Sequence, residues 1–272
     1  MTEAPETPFS PAPTAPQRVA GHFGELMQGR LGPRGPLALV SLPCPSLWVR
    51  IGAPDSGLLG PRRVAALCRA VGLAVPDRLP PVAATMPPGG GAGSSTAALV
   101  ALARWLGYDG APEVLARACV AAEGASDPLM LPDAGRLLFA PREGRVIERL
   151  PALPAFEVLG GFLGDGQRTR AEDQDFPDIA DLVQRWRQGP DLPAMAAMAT
   201  ESARRTLAHR GPGGDPTATL AARTGALGWM IAHTGSARGL IYAPDTVPPG
   251  AEAALRAAGF SGILRFAGGS AA

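Results

Sequence analysis

Four of the five positions from Gly89 to Gly93 are glycine, inside the stretch Met86-Pro87-Pro88-Gly89-Gly90-Gly91-Ala92-Gly93-Ser94-Ser95-Thr96-Ala97. Such a run gives no side chain to a core, but it lets the backbone adopt positive φ and approach a partner closely. The residues behind it, Ser94 to Leu106, are dominated by Ala and Leu and predict a helix with Ser94 or Ser95 as its N-cap. A glycine loop feeding a helix N-terminus gathers unpaired N–H groups at the positive end of the helix dipole. That is an anion site suited to phosphates; the plain alternative is a flexible loop ahead of an ordinary helix. The Walker type of phosphate loop is excluded, because it needs a lysine and the chain has none. A phosphate held here is held by backbone N–H groups and by arginine.

The rest of the composition narrows the classes open to the chain. At 272 residues, 46% hydrophobic and 18% charged, it suits one large soluble domain or two modest ones. A net charge of +1 offers no electrostatic footprint for nucleic acid or a membrane surface. No run reaches the ~20 apolar residues of a membrane span. Cys44, Cys68 and Cys119 are widely spaced with no C-x-x-C pair, so neither a disulfide framework nor a zinc site is indicated, and a reducing cytoplasm fits. Met1 to Ala15 is rich in Pro, Thr and Glu and lacks an apolar core, which predicts a disordered tail rather than a signal peptide.

Further candidates lie along the chain. Ala15 to Gly29 is a second glycine-punctuated stretch and reads as a loop, with the polar groups of His22 and Glu25 solvated. Strands are predicted at Pro36 to Leu42 and Leu47 to Ile51, a helix at Arg62 to Val71, and a strand at Val82 to Met86 that delivers the glycine loop. A helix from Pro112 to Ala122 ends in Glu123-Gly124-Ala125-Ser126-Asp127-Pro128, where Pro128 forces Asp127 out of helical geometry. One of these two carboxylates could bind a metal and the other accept a proton; the alternative is simple helix termination. Leu137 to Ala140 and Arg145 to Leu150 read as a hairpin around Glu143-Gly144, and Leu150 to Pro154 as a domain boundary. Beyond it come a strand at Phe156 to Phe162, a polar loop from Gly164 to Arg170, and helices at Ile179 to Arg187, Leu192 to His209 and Pro216 to Ile231. A third loop of small residues, Ala232-His233-Thr234-Gly235-Ser236-Ala237-Arg238-Gly239, leads into a strand, and its His233 reads either as a satisfied buried histidine or as a ligand contact. A helix from Pro249 to Ala258 and a strand from Ser261 to Phe266 close the chain.

Taken together, the three loops resemble those of the GHMP kinases, the family of galactokinase, homoserine kinase and mevalonate kinase. Pro87 to Thr96 is similar to the family's Pro-x-Gly-x-Gly-Leu-Gly-Ser-Ser-Ala, with Ala92 in place of Leu and Thr96 in place of Ala. Ala15-Pro16-Gln17-Arg18-Val19 followed by Gly24-Glu25 resembles its first motif, and Thr234 to Gly239 its third. Gly24-Glu25-Leu26-Met27-Gln28-Gly29, Ser94-Ser95-Thr96-Ala97 and Ala232-His233-Thr234-Gly235-Ser236 look like the L-threonine kinases of cobalamin synthesis, the propanediol-utilisation type. Two departures stand out: Glu123 lies four residues before Asp127 where that group has three, and Gly90 stands where that group has lysine.

The resemblance implies an α/β (α+β) fold of two domains after a tail at 1–14: a ribosomal-protein-S5-like ATP-binding domain at 15–150 and a ferredoxin-like domain at 151–272. It implies ATP-dependent phosphorylation of a small hydroxyl-bearing substrate, L-threonine giving O-phospho-L-threonine. Homoserine or a sugar as acceptor, or a catalytically silent binding protein of the same fold, are the alternatives. Pro88, Gly89, Gly90, Gly91, Ala92, Gly93, Ser94, Ser95 and Thr96 would hold ATP, and Ser95 with Glu123 would ligand Mg²⁺. Asp127 would orient and deprotonate the acceptor hydroxyl, with Arg18 offsetting charge on the transferred group. Glu25, His233, Thr234, Gly235 and Ser236 would shape the acceptor pocket. The implied protein is a cytoplasmic monomer or homodimer with no nucleic-acid or membrane partner.

Overall fold

Two long antiparallel strands, β1 (Val19–Arg30) and β2 (Leu37–Ile51), form the hairpin on which the other elements are assembled. The computed structural model describes residues 18–166, 170 and 172–269. The first-motif residues Ala15, Pro16 and Gln17, the 1–14 tail, 167–169 and 171 of the polar loop, and 270–272 lie outside the described residues. After the hairpin come α1 (Pro61–Val71), β3 (Val82–Ala84), α2 (Ser94–Trp105) and α3 (Pro112–Glu123). A second hairpin, β4 (Leu137–Ala140) and β5 (Arg145–Arg149), follows a 3-10 turn at Ala134–Arg136. The remainder is β6 (Phe156–Leu163), α4 (Ala180–Trp186), α5 (Leu192–Arg210), α6 (Thr217–Thr224), β7 (Gly228–Ile231), β8 (Ala237–Tyr242), α7 (Ala251–Ala257) and β9 (Phe260–Gly268).

Among the described residues, all nine strands join one sheet in the order β5-β4-β2-β1-β7-β8-β6-β9, with β3 paired to β2 and every named pair antiparallel. The expected mixed α/β fold is present. Strands that precede the Leu150 to Pro154 segment occupy one side of this order and strands that follow it the other. They meet at the β1–β7 pair, where Glu25 lies opposite Ile231.

Several expectations change. Ala15 to Gly29 reads as a loop, yet from Val19 onward it is strand, and from Gly21 to Gly29 every residue is buried. A strand covered on both faces shows no polar–apolar alternation, which is the signal a half-buried strand leaves in sequence. Its glycines mark close approaches instead: a Cβ at Gly21 would lie 2.6 Å from the Ala92 carbonyl oxygen. His22 and Glu25 are therefore buried side chains, 2% and 3% exposed, rather than solvated ones. The two strands predicted at Pro36 to Leu42 and Leu47 to Ile51 are one. Pro43 and Cys44 pair with β1 where its register shifts, and such an irregularity is where a strand tolerates proline. The helix expected from Pro216 to Ile231 stops at Thr224, where Gly225 takes the left-handed conformation at φ 69°, and Trp229-Met230-Ile231 enter the sheet as β7.

The helix after the glycine loop forms as expected, but its N-cap is Gly93, left-handed at φ 75°, with no side-chain cap. Ser94 and Ser95 lie inside the first turn, so their hydroxyls are not spent on capping. Among the described residues, no helix is long and apolar enough to cross a membrane.

Candidate active site

The fold ties the three glycine loops into one body. Gly91 O accepts from Gly24 N (3.3 Å) and Ala92 O from His22 N (3.2 Å), which fixes the loop to β1. Gly90 O accepts from both Ser236 N (3.1 Å) and Ala237 N (2.9 Å), which fixes it to the third loop. That third loop is braced by the buried Arg238, whose Nε donates to Asp215 Oδ2 (2.8 Å) and whose Nη1 donates to Gly235 O (3.2 Å). In front of this assembly opens a cavity of about 450 Å³. The N-terminus of α2 faces it, and helix geometry leaves the N–H groups of Ser94, Ser95 and Thr96 without intrahelical acceptors.

Most of the residues singled out in the sequence reach this cavity. Pro88, Gly89, Gly91, Gly93, Ser94, Ser95 and Thr96 line it, with Glu25, Glu123, Asp127, His233 and Thr234. Gly90, Ala92, Gly235 and Ser236 are not in the lining; the bonds at Gly90 and Ala92 make them the seam behind it. Arg18 is placed elsewhere: it is exposed, with its guanidinium stacked 4.5 Å over the Trp48 ring.

Two clusters of charge stand in the cavity. In the first, Ser95 Oγ donates to Glu123 Oε2, and Thr96 Oγ1 donates to Glu123 Oε1 at 3.3 Å. Arg63, which the sequence did not single out, reaches over from the first turn of α1. Its Nη1 donates to Ser95 Oγ (2.5 Å) and Glu123 Oε2 (3.1 Å), and its Nη2 to Leu58 O (2.5 Å). Burial raises the Glu123 carboxyl above the usual range, against the lowering effect of Ser95 and Arg63. The donors are oxygens: one carboxylate and two hydroxyls. That set suits a hard cation such as Mg²⁺, which takes one or two carboxylates and fills its octahedron from water and phosphate. Among the described residues, no group of three or more His, Cys, Asp or Glu side chains forms an all-protein metal cage.

The second cluster is built on His22. Its Nε2 lies 3.4 Å from Asp127 Oδ1 and its Nδ1 3.5 Å from Glu25 Oε1. Burial works against the imidazolium, but the negative charge of Asp127, then that of Glu25 and the Gly24 carbonyl, raise its pKa to about 9. Burial raises Glu25 to about 7, with His22 opposing. Asp127 goes the other way: burial would raise it, but His22 and the hydrogen bond with Thr96 hold it below the ordinary carboxylate value. Glu25 Oε2 also accepts from His233 N, so this carboxylate reaches from β1 to the third loop. The His233 ring stacks on Phe176 with centroids 4.0 Å apart, and among the described residues neither ring nitrogen has a hydrogen-bond partner. Burial, then Arg142 and Arg210, push it down to about 3, so it is neutral near pH 7.

Arg142 completes the lining at this end. It donates to the carbonyls of Gly124 (3.5 Å), Arg170 (2.8 Å) and Asp173 (3.3 Å). Arg63, Arg142 and the buried state of His22 were the features that sequence reasoning missed. Arg63 sits on a helix with no motif, Arg142 in a hairpin turn, and His22 in a stretch that looked like a loop.

No protein-family model matches the chain. No curated protein sequence matches it either. Solved structures do. A homoserine kinase from Cytophaga hutchinsonii superposes with a TM-score of 0.53 at 14% identity, covering 96% of this chain and 97% of that one. The mevalonate kinase of Methanococcus jannaschii gives 0.58 at 10% identity, covering 95% and 98%. A 4-(cytidine 5'-diphospho)-2C-methyl-D-erythritol kinase gives 0.50 at 21%, covering 94% and 98%. At such identities the likeness is one of fold, and it extends over nearly the whole length of each chain.

Proposed function

We propose that this chain is a GHMP-type kinase that transfers the γ-phosphoryl group of ATP to the hydroxyl of a small molecule, with L-threonine as the favoured acceptor and 15–150 and 151–272 as its two domains. The observation that carries the reading is convergence. The α2 N-terminus, the Ser95–Glu123 pair and the Asp127 carboxylate all open onto one cavity. Phosphoryl transfer asks for charge neutralisation and alignment more than for covalent chemistry, and this cavity supplies both.

The N–H groups at the start of α2 and in the glycine loop would hold the phosphates of ATP. Ser95 Oγ and the Glu123 carboxylate would hold Mg²⁺, which when bound neutralises charge on the phosphates. Asp127 accepts the hydrogen bond of the acceptor hydroxyl and so aims its oxygen at the γ-phosphorus. As the new O–P bond forms and the bond to the β–γ bridging oxygen breaks, ADP leaves and Asp127 takes the hydroxyl proton. A carboxylate held below its ordinary pKa is a weak base, but in a loose transition state the proton departs late, and orientation dominates. Arg142 supports an amino-acid acceptor: a cation that lines the same cavity as Asp127, and among the described residues bonds to carbonyls rather than to a carboxylate, is suited to the acceptor's own carboxylate. The motif likeness at Gly24 to Gly29 favours threonine among amino acids.

The test is product identification by mass after incubation with MgATP and L-threonine. O-phospho-L-threonine supports the proposal, and turnover of homoserine but not threonine replaces the acceptor. Wild-type protein that phosphorylates none of a panel of amino-acid and sugar hydroxyls overturns the kinase reading.

A further inference from the structure

The chain has no lysine, and no basic residue lies between Met86 and Ala97. The backbone can therefore offer phosphates only the partial charge at the start of α2, while a nucleotide brings several full negative charges. Among the described residues, two arginines line the cavity, and only Arg63 bonds to a residue of the first turn of α2. Resting on the kinase reading above, we propose that Arg63 is a phosphate-contacting residue that brings a fixed positive charge from α1 to the nucleotide's terminal phosphates and neutralises Glu123 until a metal ion takes that carboxylate over.

Three observations carry this. The guanidinium is anchored where a phosphate on the α2 N-terminus would meet it, with Nη2 on Leu58 O and Nη1 on Ser95 Oγ. These bonds and the one to Glu123 use three of its five N–H donors and leave two for a ligand. Its side chain is 33% exposed and lines the cavity, so it is not sealed in the packing between α1 and α3. Its charge also answers a problem the site creates for itself. Glu123 stands beside the helix N-terminus, and an unpaired carboxylate there repels an incoming phosphate. Arg63 cancels that charge in the metal-free protein, and Mg²⁺ on Ser95 and Glu123 would cancel it in the loaded one, leaving less for the arginine charge to do there.

This sharing separates the proposal from the simpler view that Arg63 only fastens α1 to α3. A fastener would affect nucleotide binding equally with and without metal. A charge that the metal can replace is felt most when metal is absent. Calorimetric titration of the full chain with ADP, in EDTA and in excess Mg²⁺, reads the difference. For Arg63→Ala, the Kd of metal-free ADP is expected to rise about 30-fold and that of MgADP less than about fivefold, in the range of a lost charge-assisted hydrogen bond. Arg63→Lys, which keeps the charge and loses the fork, falls between wild type and Ala. If Arg63→Ala melts below the assay temperature, Arg63→Gln, which removes only the charge and part of the fork, carries the comparison. Metal-free binding within twofold of wild type, or equal losses in both conditions, overturns the proposal. Wild-type protein that binds ADP in neither condition overturns the kinase reading, and this inference with it.

Discussion

His22 Nε2 lies 3.4 Å from Asp127 Oδ1, and this one contact pairs the charges on that side of the cavity. Asp127 is kept ionised by an imidazolium that is itself kept protonated by Asp127 and Glu25. Replacing His22 with Gln removes the positive member. Burial then acts on Asp127 without the opposing imidazolium, its pKa rises, and the acid limb of kcat moves to higher pH. Wild-type activity is expected to fall as His22 loses its proton near pH 9, and His22→Gln is expected to lack that alkaline limb. An unchanged profile would show that Asp127 takes its charge from elsewhere.

Glu25 and His22 make stability fall with rising pH. A pKa raised by folding contributes stability that is complete below the unfolded value and lost as pH climbs through the folded one. Glu25 loses its share between 4.5 and about 7, and His22 between 6.5 and about 9. For His22 that share is on the order of 3 kcal/mol at most. Denaturant melts of wild type against His22→Gln across this window should show the wild type declining more steeply. His22→Gln should also be less stable at pH 6 by about 3 kcal/mol, since it leaves two buried carboxylates without their cation.

Asp127→Asn keeps the shape and the Thr96 contact of the backbone but cannot take a proton. If Asp127 serves the acceptor, kcat should fall about 10²- to 10⁴-fold while the Kd for ADP stays within about threefold. A comparable loss in both would place Asp127 on the nucleotide side.

Ser95→Ala and Glu123→Gln address the metal. Each removes one oxygen donor from a set that holds few, so the Mg²⁺ concentration for half-maximal activity is expected to rise about tenfold or more. Activity that responds to Mg²⁺ as in wild type would remove these residues from the metal site.

How much of this was legible in the sequence follows from the reach of each signal. The α2 N-terminus was, because a glycine loop and a helix pattern are both local. Glu123 and Asp127 were legible as a pair because Gly124 and Pro128 punctuate the chain around them. β1 was not, since a strand buried on both faces loses its period-two signature, and its glycines, needed for close approaches such as that of Gly21 to Ala92, look like loop residues. β7 was missed because Gly225 ends α6 within an otherwise continuous apolar pattern. Arg63 meets Ser95 across 32 positions, and Arg142 is placed by a hairpin turn, so only the folded chain brings them to the cavity.

The seam between the first and third glycine loops gives the last prediction. Gly91 has φ 77°, and a Cβ on it would stand 2.3 Å from Ala232 Cβ and 2.5 Å from Thr234 O. Gly235 has φ 116°, and its Cβ would stand 2.5 Å from Gly91 N. Alanine at either position meets backbone that has no rotamer to yield, in a region of φ that costs an L-residue about 1–2 kcal/mol by itself. Each single variant is expected to lose about 2–4 kcal/mol of stability and to bind ADP more weakly, because opening the seam moves the loop that faces the cavity. Both substitutions strain the same seam, so once one has opened it the second costs less. The double variant should fall short of the sum of the singles by about 1 kcal/mol or more. Denaturant melts of the four proteins measure that coupling, and strict additivity would mean that the two loops yield independently and that the carbonyl of Gly90 does not hold them together.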